Sequence, residues 1–332
     1  MKATTTVIIP NYNGMKFLDT CFDSLEKQTY RAFRVIVVDN GSTDGSREWL
    51  REHESDRVRV IYLEKNTGFS FAVNAGIRAA GTKYVLLLNN DIRADERFIE
   101  YLVRAVSASP RIFSVASRMI QMAHPDRLDS AGDLYTVLGW AYNRGIDCDP
   151  DRFSRPAEVF SACAGAAIYR RSVFRKIGLF DEMHFAYLED IDVGYRARIY
   201  GYRNIYCPQA VVYHVGSGSS GSKYNAFKVK LSARNNVYLY YKNMSPLQRV
   251  INYPAYLLGT QIKRMFFRKK GFSDAFEEGL AEGRRTVSDC RAVRWRAGHI
   301  PNYLEIEAEL IRNTFFYVKQ QLMKKRSGFS RF

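Results

Sequence analysis

Asp91 follows the apolar run Tyr84-Val85-Leu86-Leu87-Leu88 through Asn89 and Asn90, so two amides and a carboxylate come directly after residues suited to burial. That carboxylate could take part in a divalent-cation site completed by a phosphorylated ligand, because hard cations such as Mg²⁺ take oxygen donors and share them with phosphates. A strand end closed by turn-forming Asn and Asp has the same composition. Three other stretches carry chemistry. Asp39-Asn40-Gly41-Ser42-Thr43-Asp44-Gly45-Ser46 is dense in side-chain acceptors and small residues. Glu189-Asp190-Ile191-Asp192 offers a choice of general base, although acids at a helix start are also favoured by its dipole. His214 ends the run Val211-Val212-Tyr213 and, taken alone, fits a surface histidine better than a ligand.

These groups need a frame that brings them together. A run that can be buried on both faces belongs in the middle of a covered parallel sheet, which puts Asn89, Asn90 and Asp91 at its C-terminal edge, where open α/β sheets hold ligands. Thr5 to Ile9 is a β-branched strand stopped by Pro10, with Asn11-Tyr12-Asn13-Gly14 as its loop. Met15 to Thr29 is a helix on the spacing of Phe17, Leu18, Phe22 and Leu25, and Arg34 to Val38 is the next strand. Its acceptor-rich loop caps a helix over Arg47 to Glu54. Val58 to Leu63 is a further strand, and Asn66-Thr67-Gly68-Phe69 turns into a helix over Ser70 to Ala80. Strand and helix alternating in this way build βαβ units and a parallel sheet.

Beyond the central run, Glu96 to Ala108 is expected as a helix and Ile112 to Met119 as a strand. Gln121 to Pro156 is a long irregular stretch, of a kind that is usually functional inside a compact domain. Ser161 to Tyr169 is a strand rich in small residues, suited either to a ligand lying on its backbone or to a closely packed helix. A helix over Val193 to Tyr200 follows the acids, and Gly216-Ser217-Gly218-Ser219-Ser220-Gly221 is a flexible loop behind His214. Neither GxGxxG after a strand nor GxxxxGK[ST] occurs, so a bound nucleotide would be held through Asp39 and its neighbours.

The chain has 332 residues, 46% of them hydrophobic, enough for a main domain with an appendage. Its five cysteines are scattered with no CxxC pair, which indicates neither a thiolate zinc site nor a disulfide framework and suits a reducing compartment. No signal peptide or membrane-spanning run is read, so a cytosolic or membrane-surface location is expected. Of the net charge of +16, residues 223–332 carry +14, with 22 Lys and Arg against 8 Asp and Glu. An anionic partner, lipid or nucleic acid, would suit that region; a solvated helical face would also account for it.

Several motifs now stand in order: Val7-Ile8-Ile9-Pro10-Asn11-Tyr12-Asn13, Val37-Val38-Asp39-Asn40-Gly41-Ser42-Thr43-Asp44, Asn66-Thr67-Gly68-Phe69 with Asn74 and Gly76, and Leu88-Asn89-Asn90-Asp91. They continue with Gly165 and Arg170-Arg171, Gly178-Leu179-Phe180-Asp181-Glu182, Tyr187-Leu188-Glu189-Asp190-Ile191-Asp192 with Arg196, and His214. Over roughly Thr5 to Met244 the chain thereby resembles the inverting family 2 glycosyltransferases, and among them a bacterial rhamnosyltransferase-like branch. The resemblance implies a GT-A fold: an α/β, Rossmann-like, mostly parallel sheet flanked by helices. It places Pro10, Tyr12 and Asp39 at the nucleotide, with Asn66, Gly68, Asn74 and Asn90 in the nucleotide-sugar site. It implies a divalent metal, Mg²⁺ or Mn²⁺, on Asp91 with His214 as second ligand, and Asp190 as base beside Glu189. Asn89-Asn90-Asp91 carries one carboxylate where many relatives carry DxD.

Residues 1–244 are therefore expected as the catalytic domain, with a nucleotide-sugar half over about 1–120 and an acceptor half over about 121–244. Residues 245–332 are a basic, mainly helical C-terminal extension. Within it Leu258, Ile262, Met265 and Phe266 share a helical face, with Lys263, Arg264 and Lys270 off it. That suits a helix lying in a bilayer interface, and equally one packed on the catalytic domain or a second subunit. Glu277 to Arg296 and Asn302 to Lys325 add helices. The implied function is transfer of a sugar, as in rhamnose from dTDP-rhamnose, to a lipid-linked or polysaccharide acceptor in cell-surface glycan synthesis, in the cytoplasm or on the inner face of the plasma membrane. A catalytically silent nucleotide-sugar or glycan-binding protein is the alternative. A nucleic-acid-binding module is disfavoured, because no helix-turn-helix, zinc or RNP pattern is present.

Overall fold

The computed structural model describes residues 3–216 and 224–326; the loop expected over 216–221 lies, after Gly216, outside the described residues. The first half runs β1 (Thr5–Asn11), α1 (Met15–Glu26), β2 (Phe33–Asp39), α2 (Ser46–Glu52), β3 (Val58–Tyr62), α3 (Phe69–Ala79), β4 (Tyr84–Leu88), β5 (Ile92–Ala94), α4 (Phe98–Ser107) and β6 (Ile112–Gln121). It continues with β7 (His124–Ser130), β8 (Asp133–Tyr135), β9 (Ala141–Asn143), β10 (Ala157–Val159), β11 (Ala166–Arg170), α5 (Arg171–Ile177), α6 (Glu189–Ile199) and β12 (Arg203–His214). Four long helices close the chain: α7 (Ala226–Asn243), α8 (Pro246–Lys269), α9 (Ser273–Thr286) and α10 (Ile300–Arg326).

The main sheet has the order β10-β12-β6-β11-β4-β1-β2-β3. From β4 through β3 every pair is parallel, as βαβ units require, whereas β11 runs antiparallel between β4 and β6. β12 lies parallel to β6, which brings His214 opposite Gln121 and close to the β4 end through its pairing with β5. β4 is buried along its whole length. Its alternate side chains enter two cores: Leu86 and Leu88 join Val7, Ile9 and the inner faces of α1 and α4, while Val85 and Leu87 join Ile8, Ile36, α3 and α6. That two-sided burial is why β4 lacks the polar alternation of a half-exposed strand.

Several boundaries differ from the sequence expectation, and the stretch expected as irregular over 121–156 carries β7, β8 and β9. Only Ala166–Arg170 of the small-residue stretch pairs as strand, and Ser161 to Gly165 leave the sheet. The acids belong to the first turn of α6, because the helix begins at Glu189 rather than at Val193. The helix expected to Arg296 stops at Thr286, and the strap after it is held by tertiary contact, with Val293 N–H donating to the Lys242 carbonyl. The junction at 244/245 separates α7 from α8, yet Tyr256, Tyr303, Ile306 and Leu310 share one apolar cluster with Tyr135, Phe160, Tyr195 and Leu239. The C-terminal helices thus complete the core of the body.

Candidate functional site

A cleft of about 920 Å³ opens where β4 and β12 end. Of the residues singled out in the sequence, Pro10, Tyr12, Asn66, Gly68, Asn90, Asp91, Glu189, Asp190 and His214 line it; Asp39 and Asn74 do not. Asp39 is wholly buried just behind the wall. Its carboxylate accepts from Arg47 Nε (3.0 Å), the Ser42 amide (3.1 Å) and Asn11 Nδ2 (3.1 Å), and Asn11 Oδ1 in turn accepts from Asn90 Nδ2 at 2.6 Å. This chain ties the loops after β1, β2 and β4 together. Asn74 is spent on Phe180 and Glu182: its amide donates to both and its oxygen accepts from the Phe180 N–H.

Asn66 braces the wall by accepting from Asn40 Nδ2 and the Gly68 amide, each at 3.0 Å. Gly68 is required there: its φ is +87°, and a Cβ would stand 2.6 Å from the Phe185 ring and carbonyl. The small residues Ala164 and Gly165 line the cleft, while Gly194 of α6 sits against Ser161, so this stretch serves ligand space and close helix packing together.

At the mouth of β4, Asp91 Oδ1 lies 3.3 Å from His214 Nε2, and His214 Nδ1 lies 2.8 Å from Asp129 Oδ2. Burial alone would lower the His214 pKa, but the hydrogen bonds to Asp129 and Asp91 prevail and push it up to about 10. The imidazolium therefore occupies a place that favours positive charge. These residues fit a divalent cation. Neighbouring donors of one octahedral ion stand roughly 3 Å apart, and a carboxylate on the far imidazole nitrogen is the arrangement that orients a ligating histidine.

Across the cleft, the segment before α6 takes positive φ at Phe185 (60°), Tyr187 (70°) and Leu188 (65°). Non-glycine residues held there cost roughly 1–3 kcal/mol each, so something must hold them. Asn235 Nδ2 does so by donating to the carbonyls of His184, Ala186 and Tyr187, and Arg234 adds bonds to Met183 and His184. The result turns Glu189 and Asp190 into the cleft. The Asp190 backbone carbonyl accepts from Ser161 Oγ at 2.5 Å, and its carboxylate accepts from the Ile191 amide at 2.7 Å.

Asp133 stands beside it, delivered by a two-way backbone pairing with Ser161. Burial, then the charge and hydrogen bond of Asp190, raises the Asp133 pKa well above the carboxylate range. Burial also raises Asp190, against the lowering effect of its hydrogen bonds, and burial with the Asp190 charge raises Glu189, whose Oε2 has no hydrogen-bond partner among the described residues. Cys163 lies within 4.8 Å of Asp133 and Asp190, but burial first and the acids second hold its thiol protonated. Asp133, Cys163 and Asp190 thus form a buried cluster whose pKa values are all raised.

A second hollow of about 980 Å³ lies at the other end of α6, lined by Arg175, Lys176 and Arg291 among others. The nearby Asp181, His184 and Asp192 could geometrically hold a metal. Lys242 already fills that place, with its ammonium paired to both Asp181 and Asp192. Sequence reasoning missed Asp129 and Asp133, which lie in the 121–156 stretch whose length marked it as functional, and gave Asn235 no role.

Residues 6–178 match the family described as Glycosyl transferase family 2. The chain is 29% identical over 238 residues to the N-acetylglucosaminyl-diphospho-decaprenol L-rhamnosyltransferase of Mycobacterium tuberculosis, covering 65% of this chain and 77% of that one. Among solved structures it is similar to GalNAc-T7 with UDP, GalNAc and Mn²⁺, at a TM-score of 0.61 and 17% identity, over 88% of this chain and 55% of that one. It is also similar to the mannosyltransferase PcManGT of Pyrobaculum calidifontis in complex with GDP-Man and Mn²⁺, at a TM-score of 0.54 and 16% identity, over 97% and 84% of the two chains.

Proposed function

The chain belongs to glycosyl transferase family 2, and from that premise we propose that it is an inverting, metal-dependent glycosyltransferase moving rhamnose from dTDP-rhamnose to a hydroxyl of a lipid-linked or polysaccharide acceptor. The observation that carries this reading is the placement, in one cleft, of the Asp91–His214–Asp129 group opposite the raised carboxyl of Asp190. The M. tuberculosis rhamnosyltransferase supports the sugar, and the Mn²⁺ in both structural relatives supports the ion.

Asp91 and His214 would hold the cation, with Asp129 fixing the imidazole so that Nε2 faces Asp91. When bound, a divalent ion offsets the charge developing on the departing diphosphate. Pro10, Tyr12, Asn66, Gly68 and Asn90 form the donor wall, and Asp39 braces it from behind. Asp190 takes the proton of the acceptor hydroxyl as that oxygen bonds to the anomeric carbon from the face opposite the nucleotide. The bond between the anomeric carbon and the diphosphate oxygen breaks, and its electron pair leaves with the nucleoside diphosphate. A single displacement of this kind inverts the anomeric centre and needs one basic carboxylate.

The test is transfer over a panel of nucleotide sugars that includes dTDP-rhamnose, with the product anomer read by NMR. Turnover should vanish in Asp91→Ala, and Asp129→Asn should weaken Mn²⁺ binding about 10- to 100-fold by calorimetry. Full turnover in excess chelator, or retention of the donor's anomeric configuration, defeats the proposal.

A further inference from the structure

Helix α8 has two unlike faces. Its inner face, Gln248, Asn252, Tyr256, Gly259 and Thr260, is buried. Gly259 permits the close approach, since a Cβ there would stand 2.2 Å from the Leu138 carbonyl, and Trp140 Nε1 donates to the Gly259 carbonyl at 3.1 Å. Its outer face recurs at helical spacing through Leu247, Ile251, Pro254, Leu258, Ile262 and Met265. Leu247 is 63% exposed, Ile251, Leu258 and Met265 58% each and Ile262 38%, with Val250 beside them at 74%. A continuous apolar stripe of this length on a water-facing helix marks a contact surface.

We propose that the outer face of α8 docks the protein on an anionic lipid surface, with the helix lying in the plane of the interface. Charge selects this occupant. Residues 246–270 contain six basic residues, Arg249, Lys263, Arg264, Arg268, Lys269 and Lys270, and no acid. Only Arg264 has a carboxylate partner among the described residues, Glu277 of α9. A second copy of this chain would bring another net charge of +16 against the first, with no acid on either α8 to meet these groups. No helix among the described residues is long and apolar enough to cross a membrane, so the face lies on a bilayer and does not span it.

The position of α8 links this surface to the cleft. The turn that grips Gly259 continues into Ala141, Tyr142 and Asn143, which line the cleft. A bilayer under α8 is therefore one layer from the wall where a lipid-linked acceptor would present its hydroxyl. That last step rests on the transferase reading; the docking itself does not.

The test is co-sedimentation of the full chain with vesicles of phosphatidylcholine, with or without phosphatidylglycerol, in low and high salt. The wild type should bind the anionic vesicles at low salt and leave the neutral ones. Arg268→Gln, Lys269→Gln and Lys270→Gln together should weaken binding roughly 100-fold, about fivefold per residue. Ile251→Ser, Leu258→Ser and Met265→Ser together should weaken it at least about tenfold at either salt. Both sets should keep turnover on a soluble acceptor, so failure of docking and failure of the transferase reading are separable. If the serine set does not fold, the glutamine set, confined to exposed side chains, decides. A wild type that ignores anionic vesicles at low salt overturns the proposal. So does one that is a dimer by light scattering, becomes monomeric in the serine set and keeps its vesicle binding.

Discussion

The first turn of α6 carries three acids that do two opposite jobs. Glu189 and Asp190 face the cleft, Glu189 with an Oε2 that has no hydrogen-bond partner among the described residues, and burial raises both pKa values. Asp192 faces the body. It is fully buried, accepts from Arg196 Nη2 at 2.7 Å and Asn243 Nδ2 at 2.8 Å, and pairs with Lys242 at 3.0 Å. Burial works against its ionisation, but Arg196, Lys242 and His184 prevail and hold its pKa far below the carboxylate range. A single helical turn thus holds both a carboxyl tuned toward basicity and a carboxylate used as mortar. The difference lies in the neighbours, since the sequence distance is two residues.

That contrast can be broken from either side. The largest effect is expected on the cleft side: Asp190→Asn keeps size and most hydrogen bonds but cannot take a proton, so turnover should fall roughly 10²- to 10⁴-fold with donor affinity nearly intact. Single-turnover rates and calorimetry check both halves. A dead Glu189→Gln beside a near-normal Asp190→Asn would exchange the two roles.

On the body side, Asp192→Ala should destabilise the fold by about 3–5 kcal/mol, because Arg196 and Lys242 would be left buried without their shared partner. Urea unfolding measures the loss. The protein that remains folded should keep its turnover, and a variant as stable as wild type would show that Asp192 is not structural.

The smallest effect sharpens the comparison through pH. A carboxyl whose folded pKa exceeds its unfolded value weakens the fold above the folded pKa, and the penalty is relieved as pH falls toward the unfolded value. For Glu189 the window runs from its raised folded pKa down to the ordinary 4.5. Asp192 has the opposite sign: its stabilisation is present above the ordinary 3.8 and is lost only as pH falls below it. Melting temperatures taken from neutral to acid pH should therefore rise less in Glu189→Gln than in wild type before the acid collapse. An unchanged profile would mean that Glu189 ionises freely in the cleft.

How much of this was legible depends on the range of the forces involved. The βαβ half was plain because β1, β2 and β4 each write their burial locally, in runs such as Val7-Ile8-Ile9 and Val85-Leu86-Leu87, and two-sided burial leaves no alternation to misread. Asp91 and His214 could be marked as strand-end groups from their own neighbourhoods. Asp129 could not, since its significance is a bond to a side chain 85 residues away. Asp133 matters only through Ser161 and Asp190, and Asn235 only through three carbonyls about fifty residues earlier. The resemblance set Asp39 and Asn74 at the ligand; the fold puts Asp39 behind the wall and directs Asn74 to Phe180 and Glu182.

By itself the sequence determined the layered α/β body, the edge of the sheet where chemistry gathers, the acids at the start of α6 and the surplus of basic charge in the C-terminal third. Each of these follows from local pattern or composition, which act over a few residues or over none. Only the tertiary structure decided which acid faces the cleft, which histidine nitrogen meets Asp91, and that one face of α8 is buried while the other is bare. Those outcomes turn on desolvation and hydrogen bonding between segments far apart in the chain, and such contacts exist only once the helices and sheet have closed on one another.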